Sequence, residues 1–196
     1  MAYGDFKTLN QALAAFQLTL INQPRLFQTI PLIAPSSKLQ NRLEEGIDLA
    51  LAISTEKAQS ELIIAPILLE VREIAQPQSS LFSGVSLNAD PAAGLVGECD
   101  FILSKSSNQL EVTSPIAVLV EAKNNDIKSG LGQCVAQMVG AQRFNADNSL
   151  TIIGAVTTGV LWRFLRLDAQ TLEIDLTEYT VPLQIETVLG ILKSPF

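Results

Sequence analysis

A run of five apolar residues, Ile116-Ala117-Val118-Leu119-Val120, constrains the fold of this chain more than any other segment. Side chains along a strand alternate between the two faces of the sheet, so a strand that is apolar on both faces must be covered on both. The run ends in Glu121, and Lys123 follows two positions later. The segment therefore predicts a central strand between helical layers, with a polar end at residue 121.

Apolar residues at helical spacing predict three helices before residue 80. The first spans residues 5–22, the second 36–53 and the third 56–73. The Ser36-Ser37 pair can cap the second helix, because a serine hydroxyl accepts a hydrogen bond from a free N–H of the first turn. Pro66 is expected to kink the third helix or to mark a change of direction, since proline lacks a backbone donor.

From residue 81 onward the pattern becomes strand-like. Strands are predicted over residues 81–87, 97–104, 116–123, 151–157, 160–167 and 172–181, and helices over 129–145 and 183–192. Helices first, then a strand meander, then a strand–helix–strand crossover predict an α/β fold with a mixed central sheet flanked by helices. We expect one domain over 1–196, with a helical N-terminal extension (1–53) and a C-terminal helix (181–196).

The ionisable residues exclude several kinds of chemistry. The chain has no histidine, which removes Ser-His-Asp and Cys-His nucleophile pairs and histidine metal ligands. Any hydrolysis must use carboxylates, lysine, water and metal. The net charge is −7, from 13 basic and 20 acidic side chains, with no basic cluster. Tight non-specific binding to DNA or RNA is therefore not expected, because such binding needs a basic face.

The sequence also bears on location. Cys99 and Cys134 are the only cysteines and provide no disulfide framework, and both are expected to be buried as reduced thiols. The start, Met1 to Asp5, lacks the basic and apolar stretches of a secretion signal. No apolar run reaches the ~20 residues that cross a bilayer. We expect a cytoplasmic protein with no membrane partner.

Three charged residues are candidates for a metal site. Glu121 and Lys123 lie two apart on a strand, so their side chains point to the same side of the sheet. Asp100 opens another apolar run, and from a neighbouring strand it could reach the same spot. Two carboxylates beside an ammonium group suit Mg²⁺, or Mn²⁺ in its place, and the activation of water for phosphodiester hydrolysis.

The order Asp100, then Glu121-Ala122-Lys123, then Gln133 resembles the PD-(D/E)XK nuclease superfamily, which has the restriction-endonuclease-like fold. The resemblance implies that Asp100, Glu121 and the backbone carbonyl of Ala122 hold Mg²⁺. It implies that Lys123 orients the attacking water or stabilises charge on phosphorus. Gln133 would position Lys123 or the water.

Two outlying segments resemble the nuclease domain of type I restriction enzymes. They cover residues 55–68 and 154–164, so the resemblance extends over a nuclease-like core of residues 54–180. It implies that Glu56 is a further catalytic residue able to bind a second metal. Glu61 lies on the same predicted helix and is the alternative.

The sequence departs from the family pattern at three places. Cys99 stands where proline is common, and Gln137 stands where a tyrosine is often found. Gln59 and Ser60 occupy the region where an arginine is expected after the helix glutamate. A phosphate-gripping role for that helix is therefore not expected.

Three functional hypotheses remain open from sequence. The first is a Mg²⁺-dependent nuclease, and the second is a catalytically silent nuclease fold that serves as an assembly module, for example as a homo-oligomer. The third is a nuclease subunit that relies on a partner protein to bind DNA or RNA. Without catalysis, Asp100 and Glu121 would be strand-end carboxylates paired with Lys123, and Glu56 would be an acid favoured by a helix N-terminus.

Overall fold

The computed structural model describes all 196 residues and has an α/β fold, as the sequence predicts. Eight strands form one mixed sheet. The strands are β1 (Thr19–Gln23), β2 (Ser80–Ser86), β3 (Glu98–Ser104), β4 (Ile116–Ala122), β5 (Ile152–Thr157), β6 (Leu161–Asp168), β7 (Thr171–Asp175) and β8 (Tyr179–Thr180). The helices are α1 (Leu9–Phe16), α2 (Ser37–Ile53), α3 (Glu56–Gln59), α4 (Ala65–Ile74), α5 (Ile127–Asn145) and α6 (Ile185–Lys193).

The sheet order places β4 near the middle. The strands run β1-β7-β6-β5-β4-β3-β2, and β8 pairs with β6. Strands β2, β3 and β4 form an antiparallel meander, and α5 then returns the chain so that β5 runs parallel to β4. Every residue from Ile116 to Ala122 is buried, so the predicted central strand is confirmed.

Two hydrophobic clusters cover the two faces of the sheet. One contains residues of α2, α4 and α6, which pack on side chains such as Val118 and Val120 of β4. The other contains residues of α1 and α5, which pack on Leu119 of the same strand. Burial on both faces removes the apolar side chains of β4 from water, at about 25 cal/mol per Å² of apolar surface. Glu121 shares the face of Leu119 and therefore points toward α5.

The predicted helix over residues 5–22 is wrong beyond Phe16. Helix α1 ends there because Gln17 adopts a left-handed backbone with φ of 55°. Residues Thr19–Gln23 then pair in parallel with β7 as an edge strand. The apolar spacing that predicts one long helix runs through Leu20, but the hydrogen bonds that β7 offers override it. The N-terminal 53 residues thus contribute a strand as well as helices.

The predicted kink at Pro66 is replaced by a wider helical turn. Residues Ser60–Ile64 form a π-helical segment between α3 and α4, so the helical course from 56 to 74 is continuous. Pro66 has no N–H for the carbonyl of Leu62, and a wider turn relieves that mismatch. Helix α2 packs closely against this segment, since a Cβ added at Gly46 of α2 would lie 2.6 Å from the Leu62 carbonyl oxygen.

Other element ends follow local chemistry. Ser36 caps α2 as predicted, with its hydroxyl accepting from the N–H of Leu39 at 3.2 Å. The strand predicted over 172–181 is two strands, since β7 stops at Asp175 and the chain turns before β8. No helix in the structure combines the length and apolar character needed to span a membrane.

Candidate functional site

Glu121 is a buried carboxylate at the end of β4. Its side chain is only 1% exposed, because strand β4 is covered by helices up to its last residue. One carboxylate oxygen, Oε1, accepts a hydrogen bond from Lys123 Nζ at 2.5 Å. The other, Oε2, accepts one from Gln137 Nε2 of α5 at 2.8 Å. Both oxygens are therefore bound by side chains rather than by backbone groups.

The surroundings of Glu121 favour its protonated form. Burial raises the pKa of Glu121 to about 7, the negative charge of Asp100 acts in the same direction, and the contacts with Lys123 and Gln137 oppose the rise. Loss of hydration disfavours the charged form of a carboxyl group, which is why burial has the largest effect. A carboxyl group with a pKa near neutrality can exchange a proton under ordinary conditions.

Lys123 links this buried carboxylate to solvent. Its side chain is 20% exposed and runs across the first turns of α5. A Cβ at Gly130 would lie 3.0 Å from Lys123 Cγ and 2.6 Å from Val156 Cγ1, so only glycine leaves room there. Burial lowers the pKa of Lys123, but the carboxylates around it, Glu121 foremost, raise it above its ordinary value. The ammonium group therefore stays protonated.

Asp100 approaches the end of β4 from the neighbouring strand. Pairing of β3 with β4 ends at Phe101 opposite Val120. Beyond it, Asp100 Oδ2 accepts a hydrogen bond at 2.8 Å from the backbone N–H of Ala122. Burial raises the pKa of Asp100, and that hydrogen bond and the charge of Lys123 oppose the rise. Asp100 thus bonds, from the neighbouring strand, the residue that directly follows Glu121.

A groove of about 340 Å³ opens beside Asp100. Three further carboxylates line it, those of Glu56, Glu61 and Glu98. Glu56 begins α3, is exposed, and is close enough that its charge raises the pKa of both Asp100 and Lys123. Glu61 is exposed and pairs with Lys57 at 3.0 Å. The groove connects Asp100 to solvent and to both candidate glutamates, neither of which contacts Asp100 through a hydrogen bond.

Helix α5 brings Gln137 rather than Gln133 to the carboxylate. Gln133 is half-buried and its side chain makes no hydrogen bond, whereas Gln137 is fully buried and donates to Glu121. The two glutamines are four residues apart and so share one helix face. Gln137 lies farther along α5, beside the end of β4. Its Oε1 atom is buried without a hydrogen-bond partner.

Two polar contacts that the sequence analysis did not predict hold the elements around the site. Asn145, at the end of α5, bonds both backbone groups of Ile116, accepting at 2.7 Å and donating at 2.8 Å. This contact fixes α5 against the start of β4. Gln59, which is 4% exposed, donates to the backbone carbonyl of Asn124 at 3.3 Å and so ties α3 to the loop after Lys123. The sequence gives no signal of these two contacts, because Asn145 and Gln59 are far along the chain from Ile116 and Asn124.

The donor atoms are of the kind that Mg²⁺ prefers. No three His, Cys, Asp or Glu side chains converge closely enough to enclose a metal ion. Mg²⁺ nevertheless commonly binds through one or two carboxylates, with water and substrate phosphate completing the octahedron. Asp100 and Glu121 offer two carboxylates, and buried Ala122 follows Glu121 and donates its N–H to Asp100. The residues present fit an open magnesium site and not a closed protein cage.

The cysteines lie in the core. Cys99 and Cys134 are both fully buried and free, and burial raises the pKa of each thiol. Both belong to the cluster on the α5 face, whereas Asp100 lines the groove beside α3.

Trp162 is also fully buried, and its indole N–H donates to the carbonyl of Gly159 at 2.8 Å.

The chain was compared with known protein families and with curated proteins. No family model matches it, and no curated protein matches it significantly.

Proposed function

We propose that this protein is a Mg²⁺-dependent phosphodiester hydrolase acting on nucleic acid, built on a restriction-endonuclease-like core. The observation that carries the proposal is the contact of buried Glu121 with Lys123 Nζ at 2.5 Å, beside Asp100 on the neighbouring strand. Glu121 and Lys123 contact each other at the end of a central strand, and Asp100, distant in sequence, accepts from the backbone N–H of the next residue, Ala122. A groove leads from Asp100 to solvent.

The order of the elements supports the restriction-endonuclease-like core. The resemblance implies a helix with a glutamate, a strand with an aspartate, a strand with Glu-x-Lys, and then a helix with a glutamine. Glu56 begins α3, Asp100 lies on β3, Glu121 is the second-last residue of β4 and the glutamines lie on α5. Each residue thus lies on an element of the implied type and in the implied order.

Each residue of the site has a distinct role in the proposal. Asp100, Glu121 and the Ala122 carbonyl would hold Mg²⁺, with Mn²⁺ as a possible substitute. When bound, the metal supplies a polarised phosphate and a water molecule of lowered pKa. Lys123, protonated beside its carboxylates, orients water or stabilises the charge that develops on phosphorus.

Gln137 holds Glu121 and is the positioning residue on α5. Its N–H group favours the ionised carboxylate, because it donates to Oε2. Gln133 lies one turn earlier on the same helix face, and in the proposal it positions Lys123 or the attacking water. Glu56 stands at the groove and is a candidate ligand for a second metal or its water.

The acidic surface bears on the partner. With a net charge of −7, the chain would bind DNA or RNA weakly by itself, or through a partner protein. Association into a homo-oligomer is a further route to a larger binding surface. The reduced, buried cysteines favour the cytoplasm as the location.

The cleavage experiment compares the wild type with two lysine variants. Plasmid DNA and a single-stranded RNA are incubated with each protein in Mg²⁺, in Mn²⁺ and in chelator. Lys123→Ala should lose at least about a hundredfold of the metal-dependent rate, because it removes the preorganised cation of the site. Lys105→Ala is the matched control, since Lys105 follows β3 at the opposite end of the sheet and is exposed. Equal cleavage by the wild type and Lys123→Ala would exclude this site as the source of activity.

A second candidate is a catalytically silent fold that serves as an assembly module. It is favoured by the absence of three converging metal-ligand side chains and by the acidic balance of the chain. In that case Glu121 and Lys123 would be a structural ion pair. The module would lack cleavage in every metal, and Asp100 would bind no divalent ion.

A further inference from the structure

A second concave surface lies between α2 and the start of α6, and it takes no part in the proposed site. This surface, the α2–α6 groove, has a volume of about 540 Å³, within the range of about 300–1,000 Å³ typical of binding clefts. Its floor is apolar and includes Leu43, Ile47 and Ile185. Leu183 stands on its rim with 86% of its surface exposed.

Three carboxylates surround this apolar floor. Glu44 and Asp48 line the groove from α2, and Glu186 lines it from the first turn of α6. All three are exposed, none of them belongs to an ion pair, and no lysine or arginine lines the groove. The groove therefore offers apolar contact at its centre and uncompensated negative charge at its edge.

The apolar stripe continues past the groove along α2. Leu51 lies one turn beyond Ile47 on the same helix face and is 49% exposed. An occupant that follows α2 would thus meet apolar side chains over more than one turn. A helical segment with leucines at i, i+3 and i+4 spacing has the matching shape.

We propose that the α2–α6 groove binds an amphipathic, lysine- or arginine-rich helix of a partner protein. Leucine-sized side chains of that helix would lie on Ile47 and Leu183. Its basic residues would meet Glu44, Asp48 and Glu186, since complementary charge across an interface favours the correct partner. The inference rests on this surface alone and is independent of the proposed nuclease function.

A second copy of this chain is a poor occupant. The protein carries a net charge of −7, so a second copy would bring an acidic balance against the three carboxylates of this groove. Six of its basic side chains are already engaged in ion pairs. A basic partner removes the repulsion.

The test uses a synthetic lysine-rich helical peptide with leucines at i, i+3 and i+4, labelled for fluorescence anisotropy. The wild type should bind it, and Glu44→Lys with Asp48→Lys should weaken binding by at least about tenfold. Leu183→Ser should also weaken it, and this exposed position leaves folding unaffected. A peptide with serines in place of leucines should bind the wild type no more tightly than the leucine peptide binds the charge-reversed variant.

The matched control is Glu45→Lys with Glu111→Lys. It makes the same change in net charge on acids that lie outside the groove. If the control pair weakened peptide binding equally, the peptide would be attracted by net charge alone and the proposal would be overturned. So would equal binding of the serine peptide. Self-association of the wild type in sedimentation, lost in Leu183→Ser, would also overturn it in favour of a second copy.

Discussion

The protein contains two fully buried acids that differ in what binds them. Asp175 is 0% exposed and accepts hydrogen bonds from the backbone N–H groups of Arg25 and Thr177, at 3.0 and 2.8 Å, and from the Tyr179 hydroxyl at 2.8 Å. Glu121 is 1% exposed and is held only by the side chains of Lys123 and Gln137.

The difference separates a structural acid from a candidate functional one. Backbone donors around Asp175 are fixed by the fold, so its carboxylate joins β7 to the loop before α2 and to β8. Side-chain donors can rearrange, and Lys123 reaches toward solvent beside a groove. Burial by itself therefore does not mark a site, whereas burial with exchangeable partners makes Glu121 a candidate.

The largest effect on stability is expected at Asp175. Asp175→Ala removes one acceptor from three donors, two of them backbone groups, and should lower the free energy of unfolding by about 3–4 kcal/mol. Denaturant unfolding at neutral pH measures the loss. Glu121→Gln is the comparison and should cost far less, because an amide still fits between its neighbours. A larger loss at Glu121 would reverse the distinction between the two acids.

The next largest effect is a pH dependence of the free energy of unfolding that arises from Glu121. Its pKa is raised from 4.5 to about 7 in the folded state, so folding favours the protonated form. The stability this provides is fully present below pH 4.5 and is lost as pH rises through about 7, by up to roughly 3 kcal/mol.

Unfolding of the wild type and Glu121→Gln in chelator, at acidic and alkaline pH, isolates this contribution. The variant should gain stability relative to the wild type between those limits, because an amide does not ionise. A constant difference across the pH range would mean that Glu121 titrates like a solvated acid.

The smallest effect distinguishes two glutamines on α5. Gln137→Ala removes a buried donor to Glu121 and should cost about 1–2 kcal/mol, whereas half-buried Gln133→Ala should change stability by less than about 0.5 kcal/mol. Gln137→Ala should also raise the pKa of Glu121 further, since that hydrogen bond lowers it. Carboxyl carbon shifts followed by NMR report this pKa. A larger change of the Glu121 pKa in Gln133→Ala than in Gln137→Ala would contradict the assignment of this contact to Gln137.

The sequence predicted the centre of the sheet and its polar end at Glu121. The apolar run before Glu121 permits only a strand covered on both faces, and β4 is that strand. Lys123 reaches Glu121 because residues two apart on a strand share a side. These inferences held because they depend on local geometry and on burial alone.

The sequence could not predict what depends on distant partners. Thr19–Gln23 became a strand through pairing with β7, although leucine spacing continues the helical pattern of α1. The contact of Gln137 with Glu121 depends on where α5 packs, which Asn145 fixes through Ile116. The π-helical segment before Pro66 packs against Gly46 of α2, a neighbour that the local sequence does not reveal.

Calorimetric titration with Mn²⁺ tests the central claim most directly, because Asp100 and Glu121 are proposed to share one ion. The wild type should bind Mn²⁺ in the millimolar range or more tightly, and Asp100→Ala should abolish that binding. Glu111→Ala, which removes an exposed acid elsewhere, should bind like the wild type. No binding by the wild type, or undiminished binding by Asp100→Ala, would contradict a metal site between β3 and β4.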